Sequence, residues 1–229
     1  MLDIFFQILP LSLAASVSVT SFLVYFAILL APANQLQNGL AFITGGIAAN
    51  AGLTAVVWFS FGHVTPASSP HHGIVHAIAN FTLAAICLVL VLMSLVKKNS
   101  PRKVKKSRTS GGVPAVVFYG VLIRLLSANT VPPYIDAVKD VSGAHLPMMP
   151  SMVLCTSVNI ISMLPLIVVW LIFLFNKERA LAIIHPMGAF LEKHKKIINN
   201  SMLILIAIYM VFLGFDHFRG SIYLADGIE

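Results

Sequence analysis

The sequence predicts an all-α integral membrane protein whose six transmembrane helices form an inverted repeat of three plus three. Composition is the first reason: 58% of the residues are hydrophobic and 10% are charged, against about 25% charged residues in soluble proteins. The second reason is a set of six apolar runs of the roughly 20 residues that a membrane helix needs. The third is a basic segment that separates these runs into two groups of three.

The six predicted spans follow one another with short connections. They cover residues 5–31, 39–62, 74–96, 113–135, 150–175 and 197–218. The first run has no basic region before it and no A-x-A cleavage site, and it is too long for the apolar core of a signal peptide. We therefore expect it to stay in the mature protein.

The first span is interrupted by the polar segment LAASVSVTSF. Ser16 and Thr20 share one helix face because they are four residues apart. Such hydroxyls either line a site or bond to carbonyls of the preceding turn. Helices in lipid must satisfy their own backbone groups, so an interruption points to a site enclosed by protein or water. We interpret Ser18 and Thr20 as candidate substrate-binding residues.

The second span carries small residues at roughly helical spacing, including Gly39, Gly45, Gly46 and Gly52. Small side chains let two membrane helices approach closely, so this face predicts helix packing. Asn50 lies in the same run, and we interpret it as a candidate for facing a cavity.

Histidines cluster in the connection that precedes the third span, FGHVTPASSPHHGIVHA. His72 and His76 are four residues apart, which places two imidazoles on one helix face, and His71 is adjacent. Imidazole is a common ligand of divalent metals. No Cys, Asp or Glu accompanies them, and histidines in loops are often simply solvated. Metal binding by these three residues is therefore an alternative interpretation.

Basic residues concentrate in two connections, 97–112 after the third span and 176–196 after the fifth. The positive-inside rule places both connections in the cytoplasm and both termini outside. The segment 97–112 also divides the chain into a first repeat, 1–96, and a second, 113–229. Because each half has an odd number of spans, related halves would be inserted in opposite orientations, as in many secondary transporters.

The basic segment KKNSPRKVKKSR could bind nucleic acid, but beside a membrane helix it is explained by topology and by attraction to anionic lipid headgroups. We expect membrane lipids and no nucleic acid as partners. Nucleotide-binding, zinc-protease and serine-hydrolase motifs are absent from the sequence, and no acidic residue occurs from Ile4 to Ile135. We therefore expect neither an enzyme nor a cofactor.

Arg124 lies inside the fourth span, about 16 Å from its start at 1.5 Å per residue. An arginine at this depth costs at least about 2.5–3.5 kcal/mol and normally has a partner. No acidic residue lies at similar depth, which leaves helix carbonyls, Asn50, Asn80, Asn159, water or an anionic substrate. Arg124 either snorkels and joins helices or binds carboxylate, sulfate or phosphate in two-point contact. We favour anion binding.

The fourth span also predicts a break. Pro133 disfavours the helical conformation of Pro132, and neither ring nitrogen can donate a hydrogen bond, so the helix should stop or kink near Asn129 to Val131. We include Asn129 and both prolines in the candidate site. Two acidic residues near predicted span ends, Asp136 and Asp216, are weak candidates for proton coupling because carboxylates at the water boundary need no special environment.

Several segments resemble a known family. ILLAPANQLQNGLAFITGG, with Asn38-Gly39-Leu40-Ala41-Phe42 at the start of span two, and the ending LEKHKKIINNSMLILIAIYMVFLGFDHF resemble the peptidoglycolipid-addressing (GAP) or sulfolipid-addressing (Sap) proteins of the lysine-exporter (LysE) superfamily. Asn129-Thr130-Val131-Pro132 is similar to the superfamily's second break. The resemblance implies a LysE-superfamily-like six-span exporter that moves envelope lipids across the plasma membrane of a bacterium or archaeon.

The sequence thus favours a secondary-transporter-type exporter of an amphipathic, anionic small molecule or envelope lipid, with alternating access around the breaks in spans one and four. A divalent-metal exporter using the histidines is one alternative. A non-transporting scaffold for envelope-lipid machinery, docking through the basic loop, is another. Faces of small residues would allow a homodimer.

Overall fold

A computed structural model describes residues 2–31, 34–61, 70–96, 112–127, 129–144 and 146–225 of the chain. This part of the chain contains eight α-helices and no β-strand, so the all-α prediction is confirmed. The helices are α1 (Leu2–Ser16), α2 (Val19–Leu30), α3 (Gln35–Phe61), α4 (Pro70–Val96), α5 (Gly112–Leu125), α6 (Val131–Gly143), α7 (Met148–Phe175) and α8 (Lys177–Ala225).

Four of the described helices, α3, α4, α7 and α8, are long and apolar enough to cross a membrane. A fifth span arises if α1 and α2, which are bent by 54° at their break, are counted together. The protein is therefore a multi-pass membrane protein with four or five such spans in the described residues. The predicted fourth span is divided between α5, an apolar helix of 14 residues, and α6, whose charged residues lower its apolar content.

The first break lies at residues 17–18, inside the interruption that the sequence predicts. Ser18 is extended (φ −125°, ψ 104°), and its hydroxyl accepts a hydrogen bond from the backbone N–H of Ser21 at 3.2 Å. This contact satisfies one of the N–H groups that the first turn of a helix leaves without a partner. The serine that interrupts the predicted span thus starts α2.

The second break comprises residues 126–130, between α5 and α6. It begins slightly before the predicted position at Asn129 to Val131. Pro132 and Pro133 lie in the first turn of α6, where a missing N–H has no intrahelical partner to lose. The prolines therefore start a new helix, and of the predicted stop or kink the structure has the stop.

Residues 177–196, which the sequence analysis treated as a cytoplasmic connection between two spans, are continuous with the following helix. They form the first turns of α8, a helix of 49 residues. Ala180 and Ile184, four residues apart on one face, are buried in the same apolar cluster as Phe26 of α2. The basic side chains of Lys193 and Lys195 are exposed on this helix. The many charged residues of this segment indicated an irregular connection. The apolar residues on its opposite face pack in the protein and stabilise a helix instead.

Three apolar clusters hold the helices together. The first joins α2, α3, α5, α7 and the start of α8; the second joins α1, α3, α6, α7 and α8; the third joins α4 and α8. Large apolar side chains also cover the outside, with Val96 85% exposed and Phe175 84% exposed. Such a surface is expected of helices that face lipid.

Helices α3 and α5 approach each other closely. A Cβ atom added at Gly45 would overlap the carbonyl oxygen of Val117, and one added at Gly120 would overlap the carbonyl oxygen of Phe42. The packing role predicted for Gly45 is therefore confirmed. Gly52 differs, since a Cβ there would meet nothing within 4 Å.

Candidate functional site

Arg124 lies in the last turn of α5 and is 4% exposed. Its Nε donates to Oδ1 of Asn50 at 2.8 Å, and its Nη1 donates to the carbonyl oxygen of Ala15 at 3.0 Å. Ala15 lies in the last turn of α1, where carbonyls lack intrahelical partners and the helix dipole is negative. The guanidinium therefore lies at the first break, held by two of the kinds of partner that the sequence predicts.

Two further features define the surroundings of this guanidinium. Nη2 of Arg124 has no hydrogen-bond partner among the described residues. The carbon centre of the guanidinium lies 5.9 Å from the ring centroid of Tyr134, in the first turn of α6. Its close contacts are thus neutral oxygens and an aromatic face, and one edge of the group remains available as a donor.

Asn50 connects this arginine to α7. Its Nδ2 donates to Oδ1 of Asn159 at 3.0 Å and to Oγ of Ser162 at 2.9 Å, and the side chain is fully buried. Nδ2 of Asn159 in turn points to the carbonyl oxygen of Ile47 at 3.4 Å. The structure thus brings together three predicted residues, Arg124, Asn50 and Asn159. Ser162 was not predicted, although its position three residues after Asn159 places it on the same helix face.

The two breaks are in direct contact. The hydroxyl oxygens of Ser18 and Ser127 lie 2.8 Å apart, and the hydroxyl of Ser21 donates to that of Ser18 at 2.9 Å. The hydroxyl of Thr130 donates a hydrogen bond to the carbonyl oxygen of Ser127 at 3.2 Å. Ser127 was missed by the sequence analysis; its place two residues before the predicted break at Asn129 was the available signal.

Three contacts between the halves share one sequence separation. Ala15 with Arg124, Ser18 with Ser127, and Asn50 with Asn159 are each 109 residues apart. The contacts come from different helices and from both breaks. A common offset therefore relates the pairs that meet at the centre of the molecule.

The other predicted residues of the breaks lie around this centre. Nδ2 of Asn129 donates to Oδ1 of Asn199 on α8 at 2.5 Å, while Oδ1 of Asn129 has no hydrogen-bond partner in the described part of the chain. Asn129 therefore contacts α8 and not Arg124. Pro132 and Pro133 are buried at the start of α6, and Thr20 is half-buried in the first turn of α2.

Asp136 corrects the sequence analysis, which placed it near the water boundary. It is fully buried, and its Oδ1 lies 2.5 Å from Nζ of Lys139. Asp140 lies on the same face, with Oδ1 3.8 Å from that nitrogen, and Asn80 of α4 accepts a hydrogen bond from Lys139. The reason is the second break: after it, α6 packs between other helices, and Val138 is also fully buried.

The second acidic candidate, Asp216, lies on α8 and is exposed. The side chains of His71, His72 and His76 lie outside the described residues. Within the residues that the structure describes, no group of three or more His, Cys, Asp or Glu side chains is placed to hold a metal ion.

Two surface grooves were found among the described helices. One, of about 420 Å³, lies between residues 34–37 and residues 173–177, and the other, of about 270 Å³, lies along residues 149–157 of α7. Arg124 lines neither groove. With 4% of its surface exposed, Arg124 is closed off from solvent in this conformation.

Comparison with known proteins supports the resemblance seen in the sequence. The profile of the family described as "Sap, sulfolipid-1-addressing protein" matches residues 8–216. We found no significant match among curated proteins or among solved structures. Since the family profile covers most of the 229 residues, the chain belongs to the Sap (sulfolipid-1-addressing protein) family.

Proposed function

We propose that this protein is a secondary-transporter-type exporter that moves an amphipathic, anionic envelope lipid outward by alternating access around its two breaks. Membership in the Sap family and the apolar, multi-pass fold support a role in lipid export. The observation that carries the finer proposal is the buried guanidinium of Arg124, which lies where the two breaks meet and keeps one nitrogen without a partner.

The charge of Arg124 favours an anionic headgroup as cargo. Its hydrogen-bond acceptors are the neutral amide oxygen of Asn50 and the neutral carbonyl of Ala15. A sulfate, phosphate or carboxylate would supply a full negative charge and two acceptors for the planar guanidinium. The family name refers to a sulfolipid, so we propose a sulfated glycolipid as the class of substrate.

We further propose that the eight helices form a LysE-like inverted repeat, α1–α4 and α5–α8. The order of elements supports it, since each half begins with two short helices around a break and continues with two long helices. The shared separation of 109 residues also supports it, because residues on the axis between related halves contact their own counterparts. This arrangement is common in secondary transporters.

Access to the site would require the halves to move. Arg124 is 4% exposed, so a headgroup can reach it only if α5 separates from α1 or α3. The breaks are natural places for such movement, because neither has a continuous helical ladder of hydrogen bonds. We place the protein in the plasma membrane of a bacterium or archaeon, with both termini outside.

The test is lipid movement in proteoliposomes that contain the purified protein. A fluorescent sulfated glycolipid and a fluorescent phosphatidylcholine, each labelled on the chain, would be compared for transfer between leaflets. We expect the wild type to move the sulfated lipid preferentially. Arg124→Gln should reduce this rate at least about tenfold, because a charge-assisted hydrogen bond contributes about 1.5–3 kcal/mol.

Two variants make the result specific. Arg124→Lys keeps the charge and should retain part of the rate, whereas Arg219→Gln removes an exposed cation on α8 and should leave the rate unchanged. An Arg124→Gln protein that is correctly inserted and moves the sulfated lipid at the wild-type rate would remove the arginine from the mechanism. Failure of the wild type to move either lipid would favour the scaffold function.

A further inference from the structure

We propose that Asp136, Lys139, Asp140 and Asn80 form a proton-binding site that couples export to a proton gradient. This inference rests on the proposed transport function and adds its source of energy. The sequence contains no nucleotide-binding motif, so a transporter of this kind needs an ion gradient or a partner protein.

The four side chains are arranged around one ammonium group. Positions 136, 139 and 140 lie on one face of α6 because they are three and four residues apart. Nζ of Lys139 lies 2.5 Å from Asp136 and 3.8 Å from Asp140, and it donates to Oδ1 of Asn80. Asp140 is 8% exposed and the other three residues are fully buried.

Unsatisfied polar atoms distinguish this cluster from a closed structural ion pair. Nδ2 of Asn80 is buried without a hydrogen-bond partner in the described part of the chain. The same holds for Oδ2 of Asp136 and for the hydroxyl of Ser142, three residues after Lys139 on α6. Buried polar groups are normally paired. Here donors and acceptors remain available inside the protein, beside charged groups.

Charge counting indicates that the cluster takes up one proton. Two carboxylates and one ammonium leave a net charge of −1 among apolar neighbours such as Val138 and Val141. An uncompensated charge in this environment is costly. Addition of one proton converts a carboxylate to a carboxylic acid and makes the cluster neutral, with no other bond formed or broken. Release of that proton on the other side of the membrane restores the charge.

Distance assigns the proton to Asp140. Asp136 is in contact with the ammonium, whereas the nearest oxygen of Asp140 is 1.3 Å further away (3.8 Å against 2.5 Å). The carboxylate that is less stabilised by the cation is the one that binds the proton more readily.

The other titratable groups around the cluster leave this assignment intact. Tyr209 of α8 faces both carboxylates, and Tyr134 lies earlier on α6 with Cys155 of α7 beside it. From α1, Asp3 is exposed at the start of the helix. Neutral phenols and a neutral thiol add no charge to the cluster, so its balance is set by the two carboxylates and the lysine.

A proton fits this site better than a metal cation does. The ammonium of Lys139 already lies between the carboxylates and would repel a sodium ion placed there. A sodium ion would also need several oxygen ligands, and Lys139 supplies only donors.

The helix α6 itself connects the proton site to Arg124. Its first turn contains Tyr134, whose ring faces the guanidinium and whose hydroxyl donates to the backbone oxygen of Asn50 at 3.1 Å. A change of charge at Asp140 that shifts α6 would therefore displace Tyr134 and, with it, the surroundings of Arg124. This contact gives the two sites a physical route for coupling.

The experiment imposes a gradient of one pH unit across proteoliposomes, with the membrane potential clamped at zero. For one proton exchanged per lipid, the gradient should shift the steady-state distribution of the fluorescent sulfated glycolipid on the order of tenfold. We expect Asp140→Asn to abolish this shift while exchange without a gradient persists. Asp140→Glu should preserve it, and Glu192→Gln, at an exposed position of α8, should behave as wild type.

The outcomes separate the two proposals. If the wild type moves the lipid but the pH gradient has no effect, or a sodium gradient replaces it, the proton site is wrong and export stands. If Asp140→Asn still responds to the gradient, Asp140 is not the carrier. If the wild type moves no lipid, the proposed function fails.

A second measurement tests the proton site even if the wild type moves no lipid. Infrared difference spectra of the protein in nanodiscs, recorded between high and low pH, should contain the C=O band of a buried carboxylic acid. The band should disappear in Asp140→Asn and change its frequency in Asp140→Glu, because the C=O group then belongs to a glutamic acid. Absence of the band in the wild type, or its persistence in Asp140→Asn, would overturn the assignment.

Discussion

The hydroxyl groups of Ser18 and Ser127 lie 2.8 Å apart although 109 residues separate them in the chain. Each belongs to a break between two short helices, and Ser18 is also the N-cap of α2. One hydrogen bond thus joins the two interruptions at the centre of the molecule. Because the backbone is not helical at either position, this contact stabilises a part of the fold that the helical ladders leave unsupported.

A double-mutant cycle measures that contact. Ser18→Ala and Ser127→Ala should show a coupling free energy of about 0.5–1.5 kcal/mol, the usual net contribution of one hydrogen bond. The measurement is unfolding in a titration with denaturing detergent. As a matched control, Ser157 is half-buried and bonds within its own helix to the carbonyl oxygen of Val153, so Ser157→Ala combined with Ser127→Ala should be additive. Additivity of the Ser18 and Ser127 changes would contradict the contact.

Because α3 packs closely on α5, one added methyl group should strongly lower the stability of the protein. Gly45→Ala and Gly120→Ala should each destabilise the protein by at least about 1–3 kcal/mol, because the new Cβ would overlap a backbone carbonyl that cannot rotate away. Gly52→Ala is the matched control in the same helix, with open space at that position. The comparison requires thermal unfolding of the three variants in one detergent. Equal stability of Gly45→Ala and Gly52→Ala would exclude the described approach.

Removal of the buried Lys139 side chain should strongly lower the stability of the protein. Lys139→Met leaves two buried carboxylates without their cation, and breaking a buried pair in this way typically costs about 3–5 kcal/mol. Lys195→Met, at an exposed position of α8, should change stability little. Replacing Asp136 by Asn in the Lys139→Met protein should recover part of the loss. Denaturing-detergent titrations of the four proteins test this, and the idea fails if both lysine variants are equally stable.

The membrane topology can be tested with single cysteines in a protein whose two native cysteines, Cys87 and Cys155, have been replaced. We expect a cysteine at position 105 to react with an impermeant reagent from the cytoplasmic side. A cysteine at Met148, which is 68% exposed, should react from outside if α5 and α6 together cross the membrane. Labelling of both positions from the same side would mean that this broken segment is re-entrant.

Much of the central site follows from the sequence. An arginine in an apolar run with no acidic residue at its depth has few possible partners, and the two found, an asparagine side chain and a carbonyl of a broken helix, were among them. The two breaks were also predictable, since hydroxyl clusters and a Pro-Pro pair are poorly compatible with an uninterrupted membrane helix. Family membership was carried by the segment around Asn38-Gly39-Leu40-Ala41-Phe42.

The environment of Asp136 could not be predicted in the same way. The predicted fourth span was taken to end at residue 135, which places residue 136 at the water boundary. A five-residue break separates α5 from α6, and α6 is buried among other helices. The polar face of α6 then meets Asn80 from a distant part of the chain, and no local pattern records that contact.

The start of α8 was misassigned for a related reason. Lysines at 193, 195 and 196 suggested a solvated loop, but charges on one face do not prevent a helix whose other face packs. Ala180 and Ile184 supply that packing against α2. Recognition of this amphipathic segment required knowing which helix lies beside it.

The length of α8 has a mechanical consequence. Its 49 residues amount to about 74 Å of helix, more than twice the roughly 30 Å thickness of the hydrocarbon layer. Near its beginning it packs on α2, and further along it packs on α4. Because these two contacts are far apart along one helix, a small tilt of α8 at the α4 contact would produce a larger displacement at its far end, beside the helix that follows the first break.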